Sequence, residues 1–504
     1  MKRYLVLLLA MVMTLSMVAF PAAAEEDDRP TITVTILDRS AVPTDQGTYE
    51  DNWATRWINE NAPVKVEFVA CARNSTYQNY NLWLASGEAP DLIMEFQPEY
   101  VEEWANQGML IELSDIIDEY APNYRALTPP ETQQWGITMG GEYAFAQQRF
   151  ESSVVNHMLY VRTDWLENLG LSIPTNEEEF LEVVRAFTED DPDGNGEDDT
   201  YGWSMTGHYQ SVLSAAYDAY SGFWYKGEDG VFENVHLTEN KLKVMQLMET
   251  IIDNGWCDPE YLTYDADMHY TRFATGETGF LACEHANLQN KAWATLKANF
   301  PEATVAVVPS WTGSGYYQER ECQFLSCVPT TCENPEAVAM YIDWMITDGW
   351  QMLQWGEEGV DFENRDGLYV SLLTEDERLA KLGYTSEYAI VSPYGMDAEL
   401  YLQAAEAAVD DEVKEAKIID AEAVMATKDI KFRRDTPTSN LGVDLVVEYM
   451  TDLNTIADEK WAQALADPDF TAEQAQEEIR AEWEGMDYEM VKEAFNEQAA
   501  ELGL

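Results

Sequence analysis

Apolar and polar residues alternate from Thr31 to Leu37 (TITVTIL), and the run is β-branched, so it predicts a first strand. Asp51 to Asn61 follows as a helix, with Trp53 and Trp57 one turn apart. Val64 to Val69 predicts a second strand and Tyr77 to Ala85 a second helix. The turn SGEAPD (86–91) then leads into a third strand, Leu92 to Phe96. This β-α-β-α-β alternation predicts a parallel sheet covered by helices. Ligands of open α/β sheets sit beyond the carboxyl ends of the strands. That rule marks Asp38, Arg39, Glu95 and Phe96 as cleft candidates.

The middle of the chain repeats the alternation. Leu159 to Arg162 reads as a buried strand, and Thr163 as the N-cap of a turn, Asp164 to Leu169, ended by Gly170. Thr175 with Glu178 forms a capping box, behind which Phe180, Val183, Val184 and Phe187 recur at helical spacing. Thr238 to Asn254 is an amphipathic helix with Val244, Met248 and Ile251 on one face. Thr304 to Pro309 is a strand, and the following WTGSGYY (311–317) reads as a crossing between domains. Asn334 caps a helix with Pro335 at its first position and Val338, Tyr341, Ile342 and Met345 inward. From Leu400 the chain is mostly helical and acidic. Runs such as Thr471 to Ala481 read as solvated helix faces, and Pro437 to Gly442 as a turn.

At 504 residues the chain exceeds one domain, and 46% apolar residues with 16 Trp allow large cores. A net charge of −63 excludes nucleic acid and anionic membrane surfaces as partners, which it repels. It also disfavours an anionic ligand, unless a local arginine cluster overrules the average. Cys71, Cys257, Cys283, Cys322, Cys327 and Cys332 make no disulfide scaffold at this length. The last three are five apart, unlike zinc ligands. Buried thiols or an occasional disulfide remain, with no pairing assigned.

Lys2 and Arg3 precede an apolar core, Tyr4 to Phe20, and the run Ala22-Ala23-Ala24 fits a cleavage site, so residues 1–24 read as a secretory signal peptide. No cysteine stands near the cut, which predicts an exported chain without a lipid anchor, periplasmic or extracellular. No later stretch reaches the roughly 18 apolar residues that span a bilayer.

Two features carry candidate chemistry. Asp191-Pro-Asp193-Gly-Asn195-Gly-Glu197-Asp-Asp199 places hard oxygens at alternate positions, the pattern of a calcium loop. Asp191, Asp193 and Asn195 would be ligands one, three and five, Glu197 a carbonyl at seven and Asp199 at nine. The twelfth position is Gly202 where an EF-hand has Glu, so water or a remote carboxylate must complete the shell. A solvated acidic turn is the alternative. The second feature is the aromatic and small-polar density of Tyr201 to Trp224. Aromatic faces stack on sugars while hydroxyls and amides bond their hydroxyl groups. Trp203, Trp224 and Tyr225 are the candidates there. His285 lies just past a strand with Glu284 and Asn287, and Trp311 and Tyr316 lie in the crossing. Core packing is the competing reading for each aromatic.

The run LYVRTDWLENLGL…P…EEF…AF…DPDGNGEDDTYGW (159–203) resembles the extracellular solute-binding proteins of sugar ABC importers, family 1. The likeness is nearest the branch that holds the LplA-type lipoproteins and the alginate-binding proteins. SGEAPD, WANQGMLIEL, DNGWCDPEYLT, FATGETGFLAC, CENPEAVAMYIDWM and WGEEGVDF extend the resemblance from about Thr31 to the C-terminus. It implies a two-lobed α/β fold of the type II periplasmic-binding-protein kind, with mixed sheets flanked by helices and a ligand cleft between the lobes. The expected first lobe is 25–150 plus about 305–350, and the second 151–304 plus about 351–504. The resemblance further implies a monomer that delivers an oligosaccharide to a membrane permease. It makes the DPDGNG loop a structural calcium site formed by Asp191, Asp193, Asn195, Glu197 and Asp199. Relatives often carry Glu where this chain has Thr200. No nucleophile elbow, HExxH pair, P-loop or Rossmann pattern is present. The alternatives are a secreted glycoside hydrolase, which needs only two carboxylates, and a sensory or surface binder of a non-sugar solute.

Overall fold

The computed structural model describes residues 27–504 apart from 139, 150–156, 206, 221–222, 265–266, 285, 312–319, 396, 430–440, 442 and 502–503. The signal-peptide segment 1–24, His285, Tyr316 and all but one residue of the turn at 437–442 therefore lie outside the described residues.

The alternating strand Thr31–Asp38 pairs in parallel with Lys65–Ala72 along its whole length, Thr31 opposite Lys65 and Asp38 opposite Ala72. The Asp91 carboxylate accepts from Thr33 N–H at 2.8 Å and Thr33 Oγ1 at 2.9 Å, which pins the next strand alongside. A parallel bridge from Val34 to Leu92 brings in Ile93–Glu95. That strand runs antiparallel to Cys322–Cys327, which in turn pairs antiparallel with Ala144–Gln148. The result is a mixed sheet rather than a purely parallel one. Residues from 32 to 146 and from 322 to 391 fill the two hydrophobic clusters on its faces.

The second sheet centres on His157–Arg162, all of it buried, flanked antiparallel by Phe280–Glu284 and Val305–Val307. The one charged residue of the central strand, Arg162, survives burial by pairing with the Asp164 carboxylate at 2.5 Å and lying 4.9 Å from the Trp165 ring. A separate core, drawn from residues 158–308 and 398–499, surrounds this sheet. The chain passes between the cores three times: between Gln148 and His157, between Val308 and Cys322, and between Val391 and Ala398.

Several expectations shift on contact with this packing. Phe362, Tyr369, Tyr384, Tyr388 and Val391 belong to the first core, although the sequence reading assigned about 351 onward to the second lobe. The cap before Glu177–Glu189 moves by one residue. Asn176 accepts from Glu179 N–H at 2.9 Å, and the Glu179 carboxylate takes Thr175 N–H and Oγ1 at 2.8 Å. Asn caps as well as Thr, and this register still buries Phe180, Val183, Val184 and Phe187. Thr163 is the first helical residue rather than a cap, and its hydroxyl bonds Thr304 Oγ1 at 2.6 Å. The Asn334 cap and Pro335 start stand as read. The C-terminal helices Asp444–Ala466, Ala472–Glu484 and Tyr488–Glu501 keep acidic outer faces but send Trp461, Trp483, Val491 and Phe495 into the second core. All six cysteines are free and buried. Among the described residues no helix is long and apolar enough to cross a membrane.

Candidate ligand cleft

The three strands of the first sheet that lie nearest the N-terminus end at one polar corner. Arg39, directly after Thr31–Asp38, pairs with Glu387 at 2.7 Å. The Arg39 and Arg73 guanidiniums lie 5.7 Å and 4.7 Å from the Phe96 ring centre. Burial pushes the Glu387 carboxyl up, against the opposing pull of Arg39 and Arg73. Glu95 is also pushed up by burial, but it turns back on its own chain, where its Oε1 accepts from Phe96 N–H at 2.6 Å and Gln97 N–H at 3.0 Å.

Glu387 opens onto a cavity of about 430 Å³ whose walls come from both cores. The first core contributes Gln147 and Phe324 from its sheet. It adds Gln354 and Trp355 from the end of helix Trp350–Trp355, and Tyr369 and Ser371 from strand Leu368–Ser371. Trp355 and Tyr369 stand 5.3 Å apart, and Tyr369 stacks on Phe362 at 5.2 Å, so this wall is an aromatic bank. The second core contributes Ala286, Gln289, Tyr401, Ala405, Asp410 and Lys417. Ala286 holds φ 67, a left-handed backbone that a residue with a Cβ rarely adopts, at the lip of this wall.

Charge in the wall is matched within the wall. The Glu375 carboxylate accepts from Arg378 on its own helix and from Lys417 of the second core, at 3.0 Å. Burial pushes Glu375 up, but the bond and charge of Arg378, with Lys417, outweigh it and hold the carboxyl below its usual range. Asp410 accepts from Glu375 N–H at 3.0 Å, a second tie between the cores.

Of the residues singled out from sequence, Arg39 reaches this cavity through Glu387, and Glu95 does not line it. Trp203 does not: it is 0% exposed and sits edge-on to Phe180 and Phe280 in the second core. Trp224, 3% exposed, stacks on Phe495 at 4.1 Å. Both are buried because the C-terminal helices and the second sheet have large faces to fill. Tyr225 accepts from Tyr220 N–H at 3.1 Å and packs beside Phe223. Trp311 stacks on Phe180 at 5.1 Å and donates to the Tyr217 hydroxyl at 3.1 Å. Neither lines the cavity. Sequence reasoning missed Gln147, Gln289, Trp355 and Tyr369. Only the WGEEGVDF text drew notice to one of them, and without a site role.

The acidic loop folds on itself. Asp191 takes φ 47 and accepts from Asn195 N–H and Gly196 N–H, both at 3.0 Å. The Asn195 amide donates to Asp193 at 3.0 Å and Asp199 at 3.2 Å. Partial burial, followed by the charges of Asp199 and Asp191, raises Asp193. Asp191, Asp193 and Asp199 thus gather around Asn195, but among the described residues no group of three or more His, Cys, Asp or Glu is set to hold a metal ion. Thr200 faces away, its hydroxyl donating to Phe187 O at 2.8 Å. A Cβ at Gly202 would meet Val184 O at 2.1 Å, so the twelfth position has no room for a ligand side chain.

Two cores joined by three crossings, with a walled cavity between them, define a two-lobed binding fold. Residues 40–352 match the family of bacterial extracellular solute-binding proteins, and the chain belongs to it. That family consists of binding proteins, which sets the hydrolase alternative aside. The polygalacturonan/rhamnogalacturonan-binding protein YtcQ of Bacillus subtilis (strain 168) is 28% identical over 207 residues, a match spanning 40% of this chain and 40% of that relative. A human-milk-oligosaccharide (HMO) binding solute-binding protein of Bifidobacterium longum infantis superposes with a TM-score of 0.71 at 16% identity, covering 94% of this chain and 99% of that one. An EF-hand mutant of the Streptococcus pneumoniae substrate-binding protein FusA, in complex with fructo-nystose, superposes with a TM-score of 0.66 at 17% identity, covering 94% and 100%.

Proposed function

We propose that this chain is an exported receptor that captures an oligosaccharide between its two lobes and hands it to a membrane permease of an ABC importer. The observation that carries this reading is the cavity of about 430 Å³ walled by both cores, aromatic on one side and amide-rich throughout. Its size falls in the range of small-ligand pockets. The lobes are the two cores, divided near 148–157, 308–322 and 391–398. A ligand touching both walls favours the closed arrangement by its differential affinity, and closure is what the permease reads. The sugar-binding relatives named above support the ligand class. The protein acts as a monomer in the periplasm or outside the cell.

The acidic loop binds a structural calcium ion through Asp191, Asp193, Asn195, Asp199 and the Glu197 carbonyl. Support comes from the hard-oxygen donor set and from three mutually repelling carboxylates drawn together around one amide. The ion would neutralise that repulsion and stiffen the loop.

Thermal unfolding of residues 25–504 with a panel of oligosaccharides tests the receptor reading. A ligand at 100 times its Kd stabilises by about 2.7 kcal/mol. An upward shift with the glycan recovered intact supports it. Cleaved glycan, or no shift with any sugar, overturns it.

A further inference from the structure

Arg39, Arg73 and Phe96 each stand directly after a strand of the first sheet, namely Thr31–Asp38, Lys65–Ala72 and Ile93–Glu95. Asp38 pairs opposite Ala72, so the two arginines leave the sheet side by side. This is the edge at which open α/β sheets take their ligands. Both guanidiniums face the Phe96 ring, at 5.7 Å and 4.7 Å from its centre, which seats the two heads on one platform. Both arginines are exposed, so a solute reaches them. The corner also opens toward the second lobe. Glu387 beside Arg39 lines the cavity, and the charge of Glu284, from strand Phe280–Glu284 of the second core, acts on Arg73.

Charge does not balance at this corner. Glu387, Glu284 and Glu95 all act on Arg73, yet among the described residues no carboxylate bonds it. Glu387 is taken by Arg39 at 2.7 Å. Glu95 is taken by the Phe96 and Gln97 N–H groups at 2.6 Å and 3.0 Å, and Glu284 by the Asn287 amide at 3.0 Å. Partial burial, then the neighbouring Arg39 charge, lowers the Arg73 pKa. A chain with 93 acidic and 30 basic residues has carboxylates to spare for every arginine. Here two like charges are set together and one is left open. A guanidinium is a planar fork that bonds a carboxylate through two parallel N–H groups. One open arginine matches one negative charge, a carboxylate rather than a doubly charged phosphate. Resting on the receptor reading above, we infer that the cleft takes an acidic glycan, with a uronate carboxylate paired to the Arg73 guanidinium and the rest of the glycan extending past Glu387 into the cavity. Arg73 is then a specificity-determining residue, and it selects a charged sugar against the average charge of the chain.

Isothermal titration calorimetry tests this on residues 25–504. The probes are trigalacturonate, trimannuronate, the methyl esters of both, maltotriose and kestose. The esters keep the sugar skeleton and remove the charge. The expected result is that an acidic trisaccharide binds about tenfold or more tightly than any uncharged probe, with an affinity that falls as salt is raised. Arg73→Met should keep the melting midpoint and bind the acidic sugar roughly ten- to a hundredfold more weakly, while Arg73→Lys, which keeps the charge and loses the fork, should recover part of the loss. An uncharged probe binding as tightly as the acidic sugars overturns the inference. So does an acidic sugar held equally well by Arg73→Met. In both cases the receptor reading stands. Should Arg73→Met fail to fold, the acid and its ester on the unaltered protein decide alone. Silence with every probe overturns the receptor reading itself, and this inference with it.

Discussion

Gly202→Ala would drive a methyl group into the helix that precedes the acidic loop. The new carbon would lie 2.1 Å from Val184 O and 2.6 Å from Val184 Cα, where carbon contacts settle at about 3.5–4.0 Å. The segment must therefore retreat by on the order of 1 Å. It is held on both sides by Gly202 N–H to Thr188 Oγ1 at 2.9 Å, Thr200 Oγ1 to Phe187 O at 2.8 Å and Trp203 N–H to Trp256 O at 3.2 Å. Overpacking of this kind costs about 1–3 kcal/mol, and each hydrogen bond broken adds about 1 kcal/mol. With two bonds lost the sum is roughly 3–5 kcal/mol. At 2–4 °C per kcal/mol for a domain of this size, the second core should melt roughly 6–20 °C lower. Differential scanning calorimetry of the variant reads this directly. Gly202→Glu should fare no better and gain no calcium affinity, since the side chain has no path to the loop. A variant that melts with the unaltered protein would refute the steric argument and reopen the twelfth position as a ligand site.

Three further outcomes are expected. Trp203→Ala and Trp224→Ala should each lose about 3–5 kcal/mol in urea unfolding while folded protein keeps its sugar affinity, whereas Trp355→Ala should do the reverse; equal affinity loss in all three would contradict the placement of the wall. His236, held down to about 3 by burial, accepts a hydrogen bond from Trp461 Nε1 in its neutral form; the unfolded chain binds a proton below about 6.5 that the folded chain refuses until about 3, so stability drops as pH falls through that window. Between pH 6.5 and 4.5 the unaltered protein should lose roughly 2–3 kcal/mol more than His236→Asn, and parallel pH profiles would dismiss the idea. Chelation with EDTA should lower the melting midpoint, and Asp193→Asn should blunt that response; an unchanged midpoint without calcium would sink the ion site.

The first sheet was legible because its opening strands combine alternation with β-branching, and the helix Trp53–Asn61 between the first two buries Ala54, Thr55 and Ile58 on one face. Cys322–Cys327 was not, since CQFLSC drew attention only as a cysteine spacing. Its role depends on pairing with residues more than 170 positions away. The cap at Asn176 slipped by one because Thr175 and Asn176 are interchangeable in capping strength, and tertiary packing chose the register. Dense aromatic sequence was misleading at Trp203 and Trp224, because a large buried face and a sugar platform draw on the same residue types. The amides of the cavity wall could not be read at all: Gln147, Gln289 and Gln354 share no local pattern, and only the meeting of two cores gives them a common purpose.

The three passages of chain between the cores bear on how the protein is made. Each core is assembled from two stretches far apart in sequence, so neither can close while the chain is still short. The early strands lack Cys322–Cys327 and the helix Pro335–Trp344 until those residues exist, and the second sheet lacks its covering helices until beyond Trp483. A nascent chain of this topology therefore completes the native packing of neither core until late in synthesis, and the two cores close nearly together.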